Sequence, residues 1–260
     1  MYTFEKNVVQ LLESHGIDFE FNAVDHYLKS ALLNIDFMPG GVVKAFSNEN
    51  STAEIKPLTI RLWEDLYINH PVVINSRILS LLGISSRIYA RKTTVSSISQ
   101  EVLDVFVAEN HLNIPLRAKY RYGLYHLQKL VAVMAFGRSC PIQVSGTTYK
   151  SYELLRYCSM VNCTVVGGLS KLIHHFEEKI NPEHIMTYVD REWSEGKSYI
   201  NLGFTIDTFT SPYGFWLSPE NNERINEKSL PNNFTANELR DKGWRFIKNL
   251  GNVKLVKYQK

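Results

Sequence analysis

The chain has 260 residues, of which 44% are hydrophobic and 21% charged, and its formal net charge is +3 at pH 7. This length suits one large or two small folded domains, and so small a net charge does not by itself indicate a polyanionic partner. The sequence contains no run of eighteen apolar residues that would predict a membrane-spanning helix, and its first ten residues lack the pattern of a signal peptide.

The first 86 residues alternate between helical and extended patterns. Apolar residues at helical spacing predict a helix over 4–14, and shorter apolar runs predict strands. The predicted elements that follow are strands over 17–21, 42–46 and 58–62 and a helix over 72–82, closed by Gly83.

From Arg87 onwards the predicted order is β, α, β, β, β, α, β, α, β. Antiparallel strands come first and a βαβ crossover follows, which predicts a mixed α+β fold with a central, mostly antiparallel sheet. The predicted strands are 87–90, 122–125, 130–136, 151–159, 184–189, 205–209 and 213–217, and the predicted helices are 99–109, 170–179 and 196–201.

A tight loop between a strand and a helix carries the first candidate site. The segment TVVGGLSKL (164–172) places two glycines at the start of the helix. Free N–H groups at a helix N-terminus bind anions, and glycine lets a pyrophosphate approach the backbone. Glycine also serves such turns for geometry alone, and the spacing of a Walker motif is absent. We predict a cofactor-binding turn with N–H groups open to solvent, formed by Val166, Gly167, Gly168, Ser170 and Lys171.

The segment GKSYINLGF (196–204) follows the next predicted strand. A tyrosine followed by Leu-Gly-Phe at this place resembles the GNAT (GCN5-related N-acetyltransferase) family. The resemblance implies a GNAT-like fold and acetyl-CoA or another acyl-CoA as cofactor. It also implies that Tyr199 protonates the departing thiolate, whereas a core aromatic on a short helix is the alternative. The glycine loop departs from the family pattern Gln/Arg-x-x-Gly-x-Gly/Ala, because Val165 stands three residues before Gly168.

A further ordered set of motifs covers more of the chain. It resembles the phage Mom type of DNA-modification protein and the C-terminal half of phage proteins of the homing-endonuclease type. This resemblance implies a DNA-directed phage protein that acts in the bacterial host cytoplasm. The motifs are YGLY (122–125), LVAVMAFG (130–137), ELLR (153–156), VVGGLSKL (165–172), YVDREWSEG (188–196) and YINLGF (199–204).

The same set begins with Asn110-His111, and three further polar residues within it are candidate catalytic groups beside Tyr199. His111 is a general base, a metal ligand or a structural residue at a helix end. Arg156 grips a phosphate or carboxylate, or pairs with Glu153 or Asp190 in the core. Asp190, placed at a strand end, belongs to a site or to a structured loop. The residues leave these alternatives open.

Residues 1–86 resemble more faintly a nuclease domain of the very-short-patch-repair type. Asp36 matches the first carboxylate of a magnesium site. The following predicted strand offers Lys44 where an acidic ligand is expected, so we read this domain as a shortened, inactive nuclease scaffold with no metal. Asp36, Glu64 and Asp65 then have structural roles.

The last segment, residues 220–260, is basic, with nine lysines and arginines against five acidic residues. Cations interleaved with aromatics suit nucleic acid, and a solvated terminus is the alternative. The expected organisation is therefore a nuclease-like domain (1–86), a GNAT-like domain (87–219) and a basic extension (220–260). The predicted DNA contacts are Arg91, Lys92, Arg245, Lys248, Lys254 and Lys257.

The functional hypothesis that follows is an acyltransferase that modifies a nucleobase in DNA. Two alternatives stay open. One is a relative of homing endonucleases that binds or cuts DNA, and the other is a GNAT enzyme that acts on a small amine or a protein. The three cysteines, without a C-x-x-C pair, favour buried thiols in a reducing cytoplasm over a disulfide framework or a zinc ribbon.

Overall fold

The computed structural model describes residues 1–41, 57–113, 116–230 and 234–259. These residues form two compact units, each assembled from separated segments. The first unit contains Met1–Asn75, Asp190–Ser194 and Thr210–Asn252, and the second contains Ser76–Val189, Glu195–Phe209 and Val253–Lys260. These units differ from the contiguous ranges 1–86, 87–219 and 220–260 expected from the sequence. The strand predicted over 42–46, with Lys44, lies outside the described residues.

Seventeen strands and seven α-helices are described, with three short 3-10 turns at Pro39–Gly41, Ala90–Lys92 and Glu227–Ser229. Up to residue 97 the elements are α1 (Thr3–Ser14), β1 (Phe19–Asn22), β2 (Tyr27–Ser30), β3 (Leu33–Met38), β4 (Leu58–Trp63), α2 (Glu64–Asn69), α3 (Pro71–Leu81), β5 (Ser86–Tyr89) and β6 (Thr94–Ser97).

The remaining elements run from residue 100 to residue 258. They are α4 (Gln100–Asn110), β7 (Tyr120–His126), β8 (Lys129–Phe136), β9 (Cys140–Val144), β10 (Thr147–Ser159), β11 (Cys163–Val166), α5 (Gly168–Ile180), β12 (His184–Asp190), α6 (Lys197–Ile200), β13 (Thr205–Phe209), β14 (Gly214–Leu217), β15 (Arg224–Asn226), α7 (Ala236–Asp241), β16 (Arg245–Lys248) and β17 (Asn252–Tyr258).

The first unit contains a four-stranded sheet in the order β1-β2-β3-β4, in which β3 and β4 are parallel. Their alternating apolar side chains are fully buried, among them Ile35, Phe37 and Ile60. Asp36 lies opposite Arg61 in this register. A three-stranded antiparallel sheet, β15-β14-β16, belongs to the same unit.

The second unit is organised by a larger sheet with the order β13-β17-β12-β10-β8-β7-β6, with β9 paired to β10. Its strands are antiparallel apart from β10 and β12, which are parallel because α5 crosses between them. Phe176 of α5 stacks on Phe136 of β8 with ring centroids 3.6 Å apart. The predicted mixed α+β class with a central, mostly antiparallel sheet is confirmed.

The basic extension is folded into this architecture. β17 is an internal strand of the large sheet, and its Val253 and Leu255 are buried. β16 lies in the three-stranded sheet of the first unit. The interpretation of residues 220–260 as an extension is therefore corrected, because alternate side chains of its last strand enter a core.

Two further expectations concern membrane-spanning helices and the three cysteines. No helix in the described ranges is long and apolar enough to cross a membrane. All three cysteines are free thiols, and Cys158 and Cys163 are buried as expected, but Cys140 is exposed.

Candidate active site

The two parallel strands of the large sheet, β10 and β12, are paired over only part of their length. β10 pairs with β12 from Ser151–Leu154 to His184–Thr187, and within the described chain the pairing ends there. β10 continues to Ser159 along β8, after a register shift between Leu154 and Arg156. Such β-bulges bend a strand and re-aim its side chains. The result is an opening between the carboxyl ends of two parallel strands, the edge at which α/β sheets bind ligands.

Tyr199 lies at this opening. Helix α6, which carries it, begins after Gly196 in the left-handed conformation. The Tyr199 hydroxyl shares a hydrogen bond with Thr187, whose own hydroxyl donates to the carbonyl of Leu154 over 2.9 Å. Its ring also packs edge-on against Phe204, so it is a core aromatic as well.

The environment of Tyr199 determines its protonation state. Burial of the hydroxyl, and secondarily the nearby Tyr157, raise the pKa of Tyr199, while the hydrogen bond with Thr187 lowers it by less. The phenol therefore stays protonated at neutral pH. It is suited to donate a proton and unsuited to act as a base.

The predicted glycine turn lies between β11 and α5, as expected. Gly167 is in the left-handed conformation with φ of 78°, and Gly168 is the first residue of the helix. A Cβ atom on Gly168 would lie 2.7 Å from the Tyr157 hydroxyl and 2.9 Å from a methyl group of Val165. Only glycine fits this position, because Tyr157 approaches the backbone so closely.

The N–H groups of the turn are only partly free. The Leu169 N–H donates to the Tyr157 hydroxyl, which was not expected from the sequence. Gly168 itself is buried. In the described chain no acceptor is recorded for the N–H groups of Gly168 and Ser170. The expectation of an open turn is thus wrong at Leu169, whereas two N–H groups remain without a protein partner.

Side chains around the turn have different roles from those predicted. The Lys171 ammonium donates to the carbonyls of Ala90, at 2.9 Å, and Thr93, so it holds the 3-10 turn before β6. The Ser170 hydroxyl lies 3.4 Å from Nδ1 of His174, and Val166 is exposed. The structure therefore gives Lys171 a structural role, because its donors are already directed at backbone carbonyls.

His111 and Arg156 come together on the other face of the sheet. His111 ends α4, and its Nδ1 accepts the N–H of Asn113 over 3.0 Å. Burial, followed by the positive charges of Arg77 and Arg156, lowers the pKa of His111 to about 3. His111 is therefore a neutral imidazole at physiological pH. Burial raises the pKa of the neighbouring Cys158 thiol to about 12, so this cysteine is not a nucleophile.

Asp190 belongs to the first unit, where it accompanies a buried acid. Its Oδ1 accepts the N–H of Glu192, and Glu192 Oε2 accepts the indole N–H of Trp63 over 2.9 Å. Burial, followed by the charge of Asp190, raises the pKa of Glu192 to about 7. The second interpretation of the sequence, a structured loop, fits Asp190.

The three carboxylates of the expected nuclease scaffold have structural contacts. Glu64 accepts the N–H of Gly40 over 2.7 Å, Asp65 pairs with Arg224, and Asp36 lies 3.7 Å from Arg61. No group of three or more His, Cys, Asp or Glu residues in the described ranges is arranged to hold a metal ion.

The predicted DNA contacts differ in their environment. Arg91, Lys92 and Lys248 are exposed. Lys254 pairs with Asp207 at 2.8 Å and Lys257 with Glu177 at 2.6 Å, both within the second unit. Arg245 donates to Asn222 over 3.2 Å. Among the described residues no ion pair is recorded for the exposed Arg91, Lys92 and Lys248, whereas the two lysines of β17 each have a carboxylate partner.

Two residues of the opening were given no role from the sequence, although both stand in motifs of the resemblance, LLRY (154–157) and TYVD (187–190). Tyr157 and Thr187 join Tyr199 to the helix N-terminus and to β10. Strand alternation gives their face of the sheet only if the bulge before Arg156 is known.

No protein-family model and no curated protein sequence matches this chain. Among solved structures, it is similar to a histone-acetyltransferase-related acetyltransferase from Corynebacterium glutamicum (11% identity, TM-score 0.41), over 65% of this chain and 97% of that one. It is also similar to the ribosomal-protein-S18-alanine N-acetyltransferase from Escherichia coli (13% identity, TM-score 0.39), over 64% of this chain and 93% of that one.

A GNAT family acetyltransferase from Elizabethkingia anophelis, solved with acetyl-CoA bound, shares 10% identity at a TM-score of 0.36, over 65% of this chain and 99% of that one. The fold of the second unit is defined by its own strand order, with four antiparallel strands followed by a parallel crossover and two antiparallel strands.

Proposed function

We propose that the second unit is an acyltransferase of the GNAT type that takes its acyl group from acetyl-CoA or another acyl-CoA. The observation that carries this proposal is the opening between β10 and β12, with the protonated hydroxyl of Tyr199 at its edge. The N-terminus of α5 supports it, because the first N–H groups of a helix and its dipole suit phosphate oxygens.

The chain's own residues supply binding and a proton. An acyl-CoA, when bound, supplies the thioester whose acyl group is transferred. The helix N-terminus of α5 holds phosphate charge, and the Tyr157 hydroxyl gives way to it at the N–H of Leu169. Tyr199 gives its proton to the departing sulfur in place of Thr187, the acceptor that holds its hydroxyl before the cofactor binds.

A charge placed at the helix N-terminus tests cofactor binding without harming the fold. Ser170→Asp adds a negative charge in the first turn of α5, which favours the helix but repels phosphate. Acetyl-CoA affinity, measured by calorimetry, should fall at least about tenfold. Ser170→Ala is the matched control and should bind within about threefold of the wild type. Equal affinity of the two variants would contradict the proposed phosphate site.

The role of Tyr199 has a separate test. Tyr199→Phe keeps the ring that packs on Phe204 but removes the acidic proton. The turnover rate should fall by about 10²–10⁴-fold with acetyl-CoA affinity unchanged. An unchanged rate with any acceptor that the wild type acetylates would reject Tyr199 as the acid.

We further propose that the acceptor is a nucleobase of DNA in a phage setting, as the resemblance to Mom-type proteins implies. A base has to leave the stack or be single-stranded to reach such an opening. The exposed cations Arg91, Lys92 and Lys248 support DNA binding through phosphate contacts.

The DNA proposal predicts a steep dependence of affinity on salt. Alanine at Arg91, Lys92 and Lys248 should weaken binding of a single-stranded oligonucleotide and flatten the salt dependence. The control carries alanine at Arg138, Lys179 and Lys197, three exposed cations outside the predicted contacts. Acetylation of a small amine or a peptide without DNA binding would favour the small-substrate alternative, and cleavage of plasmid DNA with Mg²⁺ would favour the homing-endonuclease alternative.

A further inference from the structure

One half-buried guanidinium in the second unit has a nitrogen without a hydrogen-bond partner among the described residues. Arg156 donates from one terminal nitrogen to the carbonyl of Leu155 over 2.9 Å. Its Nε atom is buried, and within the described residues it has neither a hydrogen-bond partner nor an ion pair. Buried polar groups in native proteins are almost always satisfied, and an exception calls for a bound water, an ion or a ligand. A charged guanidinium makes that need stronger than a neutral group does.

Two groups near Arg156 determine what it can bind: the positive charge of Arg77 and the neutral ring of His111, which is a hydrogen-bond donor. Arg77 and Arg156 both act on His111 and on Cys158, which places these four side chains close together. His111 Nδ1 accepts the N–H of Asn113, so the proton of the neutral ring sits on Nε2. In the described chain Nε2 has no recorded acceptor, and it can therefore donate.

The nearby acid compensates this charge poorly. Glu153 is the carboxylate that acts on Arg156, and no ion pair between them is found within 4.0 Å. Burial raises the pKa of Glu153, while Arg156 lowers it by less. Glu153 therefore does not satisfy the Nε–H of Arg156, which stays available to an anion.

The β-bulge explains why this cluster lies where it does. Side chains of successive strand residues point to opposite faces. Cys158 packs with Leu103 and Val107 of α4, and Tyr157 packs with the core on the side of α5. Arg156, two residues before Cys158, shares the α4 face, beside the point where β10 and β12 separate.

We propose that Arg156 and His111 bind an anionic oxygen group, a phosphate or a carboxylate, of the acceptor on the α4 face of the sheet. The donor lies on the α5 face, and the opening between β10 and β12 lets the two meet. That the bound group belongs to the acceptor rests on the proposed acyl transfer. The binding of an anion at this place does not depend on it. Nε–H of Arg156 and Nε2–H of His111 are the two donors.

The test uses the full chain labelled with ¹⁵N-arginine and carrying Ser170→Asp, which removes phosphate binding at the N-terminus of α5. The Nε–H resonance of Arg156 is identified by its loss in Arg156→Lys. Inorganic phosphate, acetate and a single-stranded 12-nucleotide DNA are titrated separately, without acyl-CoA. At least one of them should shift this resonance saturably, and Arg156→Gln should weaken that binding at least tenfold.

Arg121→Gln is the matched control. Arg121 lies on the adjacent β7, is half-buried, and donates from Nε to the carbonyl of Ile98 over 3.2 Å, so its guanidinium is already satisfied. This variant should bind the probes as the wild type does. A response to phosphate and DNA identifies a phosphate site, and a response to acetate alone identifies a carboxylate site.

Two outcomes would overturn the proposal. In the first, the Arg156 resonance responds to none of the three probes. In the second, the probes bind Arg156→Gln and Arg121→Gln with equal affinity, as followed through the His111 ring signals. Neither outcome bears on acetyl-CoA binding, which is measured on the wild-type helix N-terminus. Failure of the anion site and failure of the proposed acyl transfer are thus distinguishable.

Discussion

Arg224 of the first unit and Arg156 of the second are both arginines of low exposure, but their charges are treated in opposite ways. Arg224 forms a two-pronged ion pair with Asp65, with distances of 2.5 and 3.0 Å, and lies over the rings of Trp63 and Phe215. Arg156 has a carbonyl as partner for one nitrogen and none for Nε.

The difference separates structural charge from charge available for function. In the first unit, Asp36, Glu64 and Asp65 each face a donor of the same unit. In the second unit, Arg156 Nε lies beside the point where β10 and β12 separate and has no such partner among the described residues. A buried ion pair whose hydrogen bonds are all formed supports the fold. A charged group that keeps an unpartnered nitrogen can bind a ligand.

The largest expected effect comes from breaking the complete pair. Asp65→Ala leaves the guanidinium of Arg224 buried without its partner and should lower the free energy of unfolding by about 3–5 kcal/mol. Urea unfolding measures this loss. Glu195→Ala, which breaks the exposed pair with Lys197, is the control and should cost about 0–1 kcal/mol. Similar losses in both variants would contradict a structural role for the Asp65–Arg224 pair.

The buried Glu192 provides the second prediction, which concerns pH. Its pKa rises from an ordinary 4.5 to about 7 on folding, mainly through burial. The folded state therefore holds this proton more tightly than the unfolded state. The resulting stabilisation is complete below about pH 4.5 and is lost as the pH rises through 7, a change of about 3 kcal/mol.

Glu192→Gln removes this titration and keeps an oxygen for the indole N–H of Trp63. Urea unfolding between pH 5 and pH 8 should show a stability that falls with pH in the wild type more than in the variant. The difference between the two proteins isolates Glu192 from the histidines, which titrate in both. Parallel pH curves would mean that Glu192 is ionised throughout.

The third prediction compares two cations that the sequence had grouped as DNA contacts. Lys257 pairs with the half-buried Glu177 at 2.6 Å, whereas Lys248 is exposed. Lys257→Ala should lower the free energy of unfolding by about 1 kcal/mol, and Lys248→Ala should leave it within about 0.5 kcal/mol of the wild type. Oligonucleotide binding should show the reverse order. Equal effects of the two variants on stability would remove the distinction.

Much of the fold followed from periodicity. The helix predicted over 4–14 is α1, and the long apolar run 130–136 is a central strand with Val133 fully buried. The hydroxyl cap expected at Ser99 accepts the N–H of Val102 over 3.3 Å. The strand β17 was not predicted. Val253 and Leu255 alternate with Lys254 at the two-residue period of a strand, but the many lysines and arginines of this segment indicated an extension.

The candidate site was only partly predictable. The turn at Gly167 was found from a local pattern, because the geometry of a helix start is encoded locally. Tyr199 was found through the resemblance to the GNAT family. The state of Arg156 was left open between a ligand and a core partner, since the register shift beside it depends on how β8 and β10 align. Charge compensation is a tertiary property that sequence spacing does not reveal.

The expected change in stability at Arg156 is small, and it sharpens the contrast with Arg224. Arg156→Gln removes a half-buried charge that has no ion pair among the described residues. No oppositely charged side chain therefore loses a partner in this variant. The lost hydrogen bond to the Leu155 carbonyl costs about 1 kcal/mol, and the avoided burial of a charge offsets it. We expect the free energy of unfolding to stay within about 1 kcal/mol of the wild type. Arg121→Gln, which leaves the carbonyl of Ile98 without its donor, should be the more destabilising. A loss at Arg156 as large as that of Asp65→Ala would mean that the guanidinium supports the fold, and the two arginines would then be alike.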